Sequence, residues 1–144
     1  MAENMNIREV DRVLDSVLES ADEAEQLALR VAEEAGFPED DLHRIGMAVR
    51  ESIVNAVVHG NRYNVRKKVH LAICANTRKL AITVGDEGEG FDVTALPDPL
   101  AEPNLLQQSG RGIFLIRAFM DEFEVRRRSA GGTEVTLVKH RESK

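Results

Sequence analysis

The spacing of hydrophobic and polar positions changes along the chain, from a helical period to an alternating one. Apolar residues recur every three or four positions through roughly 20–35 and again through roughly 41–59, which predicts two amphipathic helices. Apolar and polar residues then alternate over 69–75 and 80–84, which predicts two strands. Two helices followed by strands indicate an α+β fold with two layers.

Local signals predict where these helices begin and end. Ser20 and Glu23 have capping-box spacing, in which the serine hydroxyl accepts an early amide and the glutamate reaches back. Gly36 is suited to end the first helix. Asp40 or Asp41 is expected to cap the second helix.

The segment before the first helix fits two elements. The apolar spacing between positions 7 and 18 slightly favours a helix, but the run 13–18 also fits a strand with two apolar faces. The pattern alone leaves both interpretations open.

The pattern weakens in the second half of the chain. Roughly 93–109 carries three prolines and little periodicity, and a stretch of this kind within a compact domain is more often a functional lid than a plain connector. Residues 113–120 are predicted to form a helix, and 122–128 and 133–139 to form strands joined by a glycine-containing turn.

Composition narrows the functional classes. The chain has 144 residues, a hydrophobic fraction of 42% and a formal net charge of −6, which predict a single domain over 1–144 and argue against a general nucleic-acid binder. One cysteine excludes an internal disulfide. Because the chain lacks a signal-peptide pattern and an apolar run of about 20 residues, we expect a cytoplasmic protein with no direct membrane or nucleic-acid contact.

Two polar residues lie on the second predicted helix where little water is expected. Apolar positions occupy nearly every side of this helix between 45 and 58, so it should be covered almost all round. Glu51 and Asn55 are one turn apart and point the same way. Burying an unpaired polar group costs on the order of a few kcal/mol, so the two residues form either a functional site or a self-satisfied structural pair.

Three glycine-containing segments are ambiguous when each is taken alone. Asp86–Gly90 follows a strand and is typical of an acidic turn. Gly110–Gly112 precedes a helix, where free backbone amides suit a phosphate. Gly131–Thr133 is typical of a hairpin turn.

Together, these segments resemble the motifs of one superfamily, the GHKL (Bergerat-fold) ATPases. The N, G1, G2 and final threonine motifs correspond to Glu51–Gly60, Asp86–Gly90, Ser109–Gly112 and Gly132–Thr133. Within the superfamily the chain is most similar to the bacterial anti-sigma factor serine/threonine kinases, over about 20–140. The resemblance implies a two-layer α/β sandwich whose mixed, mostly antiparallel sheet is covered on one face by helices. It also implies an N-terminal strand at about 10–19 and an ATP lid at about 92–112.

The resemblance also implies a role for each motif residue. Asn55 is expected to be a Mg²⁺ ligand and Glu51 the base that orients or deprotonates the acceptor hydroxyl. Asp86 is expected to accept the adenine amino hydrogen, with support from Thr133. The other expected nucleotide-binding positions are Gly88, Gly90, Ser109, Gly110, Arg111 and Gly112. Some family members carry an arginine where this chain has Gln108.

The function implied by the resemblance is that of an ATP-dependent protein serine/threonine kinase that binds ATP or ADP with Mg²⁺. Its expected partners are a sigma factor and an anti-sigma factor antagonist of the STAS type, and it is expected to form a homodimer. A nucleotide-gated binding module without phosphotransfer is the main alternative, although such a module needs no base at Glu51. A sensor histidine kinase core is a poorer alternative, because no dimerisation hairpin surrounds His43.

A run of three arginines, Arg126–Arg128, lies on a predicted strand. It fits a patch for an acidic partner. The favoured interpretation is that its members alternate between the solvent and partner faces of an exposed strand.

Overall fold

A five-stranded sheet forms one layer of the computed structural model, which describes residues 8–89 and 116–141. Its spatial order is β1-β2-β3-β5-β4, and all four pairings are antiparallel. The strands are β1 (Arg8–Leu14), β2 (Val69–Ala75), β3 (Lys79–Gly85), β4 (Glu122–Arg127) and β5 (Thr133–His140). The predicted two-layer α+β fold is therefore confirmed, but the described strands contain no parallel pair of the expected mixed sheet.

The helices form the second layer. They are α1 (Ser20–Glu34) and α2 (Glu39–Asn55), and α2 continues as a π-helical turn (Ala56–Gly60). Residues 116–119 are also helical. The helices and one face of the sheet bury alternate strand residues such as Ile73, Ile82 and Leu137. No helix within the described ranges is long and apolar enough to cross a membrane.

The N-terminal segment is a strand, but it ends earlier than the expected limit of 19. β1 pairs with β2 only as far as Leu14, which lies opposite Val69. The Ser16 hydroxyl then donates to the Lys67 carbonyl and accepts a hydrogen bond of 2.7 Å from Asn61. These polar contacts fix Ser16 outside the ladder of paired strand residues. Residues 15–19 therefore form the turn into α1.

The predicted capping box at the start of α1 does not form. No side chain makes a capping hydrogen bond at this helix start, and Ser20, the first helical residue, donates its hydroxyl hydrogen to the Asp15 carbonyl at 2.7 Å. The local spacing was misleading because the preceding turn supplies a competing acceptor. The end of this helix is as predicted: Gly36 follows it with a φ of +94°, a value that favours glycine.

The predicted aspartate cap of α2 is also wrong. The helix begins at Glu39, directly after Pro38, whose extended ψ of 162° sets the start of the helix. No side chain caps this end, and Asp40 and Asp41 lie in the first turn. Acidic residues there remain favourable because they face the positive end of the helix dipole.

The described sheet contains two hairpins, and the second is the one predicted from its glycine-containing turn. Asn76 closes the β2–β3 turn, since its side-chain oxygen accepts the amide hydrogens of Arg78 at 2.7 Å and Lys79 at 2.9 Å. Gly131 and Gly132 form the β4–β5 turn with φ values of +103° and +99°. The second hairpin places the beginning of β5 beside the end of β3.

Candidate functional site

The second half of α2 is covered as the sequence predicted. Every residue from 45 to 60 is buried or half-buried, on all sides of the helix. One side of this helix is fully buried and consists of Ile45, Val49, Ile53, Ala56 and Val57. Polar groups on the other side of this helix therefore lie where little water reaches them.

Asn55 carries an unsatisfied polar atom at this position. Its side chain is only 4% exposed, and its Oδ1 has no hydrogen-bond partner in the described part of the chain. A buried acceptor left unpaired costs about 1–3 kcal/mol, so the chain tolerates this atom at a cost. An amide oxygen is a hard ligand of the kind that Mg²⁺ accepts, so the side chain of Asn55 is suited to the expected role of Mg²⁺ ligand. Within 8–89 and 116–141, no group of three or more His, Cys, Asp or Glu residues forms a separate metal site.

Glu51 lies one helical turn before Asn55 and is half-buried. Burial raises the pKa of Glu51, and the positive charge of Arg50 opposes part of that rise. Arg50 itself is paired with two acidic residues of α1, Asp22 and Glu25. A carboxylate with a raised pKa is a stronger proton acceptor than an exposed one, which is the property a general base requires.

Asp86 is buried directly after β3, with 2% of its surface exposed. Its Oδ1 accepts hydrogen bonds from the backbone amides of Gly88 at 2.9 Å and Thr133 at 3.2 Å. Burial raises the pKa of Asp86, although these two hydrogen bonds oppose part of the rise. The Asp86 amide also donates to the Thr133 carbonyl at 2.9 Å. The carboxylate is thus fixed in orientation by the beginning of β5.

Three glycines pack against Asp86 or one another where no side chain would fit. A Cβ on Gly60 would lie 2.7 Å from the Cβ of Asp86, and one on Gly88 would lie 2.6 Å from the carbonyl carbon of Gly60. A Cβ on Gly132, which has a φ of +99°, would lie 2.8 Å from the Asp86 carbonyl carbon. All three distances fall below the 3.0 Å that real Cβ atoms respect. Glycines from three separate motifs therefore meet around one carboxylate.

Asn61 is a site residue that the sequence pattern missed, because it lies just beyond the predicted end of the second helix and belongs to none of the motifs. It is 2% exposed, and its Nδ2 donates to Ser16 Oγ at 2.7 Å and to the Lys68 carbonyl at 2.9 Å. Its Oδ1 accepts the amide hydrogen of Glu87 at 2.8 Å. Asn61 thereby joins the end of β1, the approach to β2 and the loop that follows β3.

Glu87 has a structural role within the acidic segment after β3. One carboxylate oxygen accepts the Lys68 amide hydrogen at 3.0 Å, and the other lies 2.6 Å from Nε2 of His70. The hydrogen bond from Lys68, followed by that to His70, lowers the pKa of Glu87. This carboxylate therefore fixes the loop beside Asp86.

The structure brings together part of the predicted site. Asp86, Gly88 and Thr133 are in contact, and the π-helical turn that follows Asn55 reaches them through Gly60. Glu51 and Asn55 share one helix that is continuous with this turn. The predicted lid and the positions Gly90, Ser109, Gly110, Arg111 and Gly112 lie outside the described residues.

The chain matches one known protein family over nearly its whole length. The profile of the histidine kinase-like ATPase domain matches residues 14–139, nearly the whole chain. The chain belongs to this family. Membership of an ATPase family implies a nucleotide-binding site, and the motif residues described above lie within the matched range.

Similar proteins agree with this assignment. The chain is 32% identical to the anti-sigma F factors of Bacillus subtilis and Bacillus velezensis over 104 residues, which are 70% of this chain and 70% of each relative. It also resembles the crystal structure of the RsbU and RsbW domains of Rv1364c from Mycobacterium tuberculosis, with a TM-score of 0.67 and 20% identity. That likeness covers 94% of this chain but 33% of the larger one, and it supports the fold.

Proposed function

We propose that this chain is an ATP-binding anti-sigma regulatory factor with protein serine/threonine kinase activity. It binds a sigma factor, and it phosphorylates a serine or threonine of a STAS-type antagonist in a partner-switching system. Family membership and the similarity to anti-sigma F factors support the regulatory role. The observation that carries the kinase activity is the buried, unpaired Oδ1 of Asn55 one turn after the half-buried Glu51.

In this proposal Asp86 recognises the adenine base. Its carboxylate accepts a hydrogen from the adenine amino group, while the amides of Gly88 and Thr133 hold the carboxylate in place. Guanine carries a carbonyl oxygen at the equivalent ring position, and two acceptors facing each other repel. The arrangement therefore favours ATP and ADP over guanine nucleotides.

Asn55 would hold Mg²⁺ through its side-chain amide oxygen, which is a hard ligand of the kind that this ion takes in nucleotide sites. When bound, the ion neutralises charge on the phosphates as the phosphoryl group is transferred. The amide oxygen of Asn55 is suited to this role because it has no hydrogen bond to give up within the described part of the chain.

Glu51 acts as the base. The acceptor hydroxyl oxygen attacks the γ-phosphorus, the bond between that phosphorus and the β–γ bridging oxygen breaks, and ADP leaves. The hydroxyl proton passes to the Glu51 carboxylate, whose pKa is raised by burial. A positioned base of this kind contributes roughly 10²–10⁴-fold to a rate.

The decisive experiment compares Glu51→Gln with wild type. Gln keeps the shape of the side chain and can hydrogen-bond, but it accepts no proton as a carboxylate does. With labelled ATP, Mg²⁺ and purified STAS-type proteins from the source organism, we expect label transfer to fall roughly 10²–10⁴-fold. Nucleotide affinity, titrated on the same samples, should change little.

Glu39→Gln is the matched control, because Glu39 lies in the first turn of the same helix and is exposed. It should leave transfer unchanged. Undiminished transfer by Glu51→Gln would remove the base assignment. No transfer by wild type to a partner that it demonstrably binds, together with partner release by ATP, would favour the nucleotide-gated binding module instead.

A further inference from the structure

Arg128 lies beneath the main chain of Asp86. Its Nη1 donates to the Asp86 carbonyl at 2.7 Å and to the Gly131 carbonyl at 3.2 Å. Its aliphatic stem covers Gly85, where an added Cβ would lie 3.1 Å from Arg128 Cδ. The side chain therefore reaches from the end of β4 to the end of β3.

The backbone of Arg128 belongs to the same hairpin that holds the Asp86 carboxylate. Its amide donates to the Gly132 carbonyl at 3.0 Å, and its carbonyl accepts the amide hydrogen of Gly131 at 3.0 Å. Thr133, the next residue of this hairpin, donates to the Asp86 carboxylate. One short turn thus holds both the main chain and the side chain of Asp86.

The three arginines make contacts that neither sequence-based interpretation of the arginine run included. Arg126 is exposed and pairs with Glu124 of its own strand at 3.2 Å. Arg127 donates to the Glu89 carbonyl at 3.2 Å, and Arg128 is half-buried against Asp86. Two consecutive arginines therefore contact the first and last residues of the described part of this loop, residues 86–89.

We propose that Arg128 is the positioning residue that sets the preference of this site for adenine over guanine nucleotides. It holds the Asp86 carbonyl, and so fixes the angle at which the Asp86 carboxylate faces the base. This proposal rests on the proposed function, in which Asp86 accepts the adenine amino hydrogen. A carboxylate held at one angle discriminates between a donor and an acceptor, whereas a mobile one turns away from a mismatched base and discriminates less.

The test is the ratio of the GTP and ATP dissociation constants, measured by calorimetry. Arg128→Met keeps the stem over Gly85 but removes the donors, and we expect the ratio to fall roughly ten-fold, as for the loss of about one hydrogen bond. Arg128→Lys keeps a cation with donors and should recover part of the ratio. Arg126→Met, the same substitution two residues earlier, should leave the ratio at the wild-type value.

Arg128→Gln is measured in parallel and is expected to show the same fall, because its amide is too short to span both carbonyls. If Arg128→Met does not fold, Arg128→Gln replaces it in the comparison of the two dissociation constants. An unchanged ratio in the folded variants would overturn the proposal, even if the urea midpoint fell, because a purely structural role lowers stability without altering base choice. Equal weakening of ATP and GTP would also overturn it, since that pattern belongs to a phosphate contact.

The wild-type ratio separates the two proposals. If wild type prefers ATP and the Arg128 variants keep that preference, only the role of Arg128 fails. If wild type binds ATP and GTP alike, adenine recognition by Asp86 fails and the role of Arg128 fails with it.

Discussion

Gly60 is packed directly against the side chain of Asp86, so closely that a Cβ on Gly60 would lie 2.7 Å from the Asp86 Cβ. Gly60 ends the π-helical turn that continues α2, and Asp86 follows β3. The contact therefore fixes the helix that carries Glu51 and Asn55 relative to the carboxylate proposed to bind adenine. The two ends of the candidate site are held together by a residue with no side chain.

Gly60→Ala is expected to weaken nucleotide binding at least ten-fold and to lower the free energy of unfolding by about 1–3 kcal/mol, because the new methyl group displaces Asp86. Calorimetry and urea unfolding measure the two effects. Gly46→Ala in α2 is the control: its Cβ would lie 3.1 Å from the flexible end of Glu25 and 3.4 Å from Leu29 Cδ2, with no backbone atom among these neighbours. Ala is the better helix former by about 1 kcal/mol, so the control should be neutral or more stable. If the two variants had the same nucleotide affinity and the same free energy of unfolding, the importance of the Gly60–Asp86 contact would be contradicted.

Asn55→Ala is expected to abolish most of the Mg²⁺-dependent part of ATP binding. The substitution removes the unpaired amide oxygen that we assign to the metal. ATP titrations with Mg²⁺ and with a chelator provide the comparison, and binding in chelator should be similar for both proteins. The same Mg²⁺ enhancement in wild type and variant would exclude Asn55 from the metal site.

Asp86→Asn is expected to weaken ATP and ADP binding by more than ten-fold. The variant oxygen can still accept the amides of Gly88 and Thr133, but its amino group would face the amino group of adenine. Competition titrations with ATP and GTP should show a smaller preference for ATP than in wild type. An unchanged preference would mean that another residue recognises the base.

The stability of the nucleotide-free chain should depend on pH through Glu51. Burial raises the pKa of Glu51 above its ordinary value of 4.5, so the folded chain binds this proton more tightly than the unfolded chain does. The stability contribution of this residue therefore falls as pH rises from 4.5 through the raised pKa. The free energies of unfolding of Glu51→Gln and wild type should be similar at about pH 4. At about pH 7 that of Glu51→Gln should be the higher one.

Urea unfolding at both pH values measures this difference, and Glu39→Gln, at the exposed start of the same helix, is the control. A difference between Glu51→Gln and wild type that is independent of pH would contradict the assigned cause.

A homodimer is expected at micromolar concentration. β1 lies at one edge of the described sheet, and its Val13 is 64% exposed, while Leu18 in the following turn is 47% exposed. An edge strand with exposed apolar residues favours pairing with another chain. Light scattering should give a dimer for wild type and a smaller species for Val13→Glu. A monomeric wild type, with and without nucleotide, would contradict this expectation.

The sequence predicted what depends on local spacing. The helical period placed Glu51 and Asn55 on a covered helix, and alternation placed β2 and β3 correctly. The pattern missed the roles of Asn61 and Arg128 because their main partners are distant in sequence. Asn61 bonds to residues 16 and 87, and Arg128 bonds to Asp86. No periodic pattern encodes such pairs.

The errors at the helix starts have a related cause. The capping box requires the Ser20 hydroxyl to accept an amide hydrogen of its own helix, but the hydroxyl instead donates to the Asp15 carbonyl of the preceding turn. Capping rules describe one helix end in isolation, whereas here the backbone on both sides competes for the same hydroxyl.

The position of β5 has a consequence for how the protein is made. β5 follows β4 along the chain but lies between β3 and β4 in the sheet, and it carries Thr133, which bonds to Asp86. During synthesis β3 therefore remains an open edge until β5 has left the ribosome, and an open edge invites aggregation. The proposed adenine pocket and the protection of β3 arise in the same late step, so a chain interrupted before β5 would lack both.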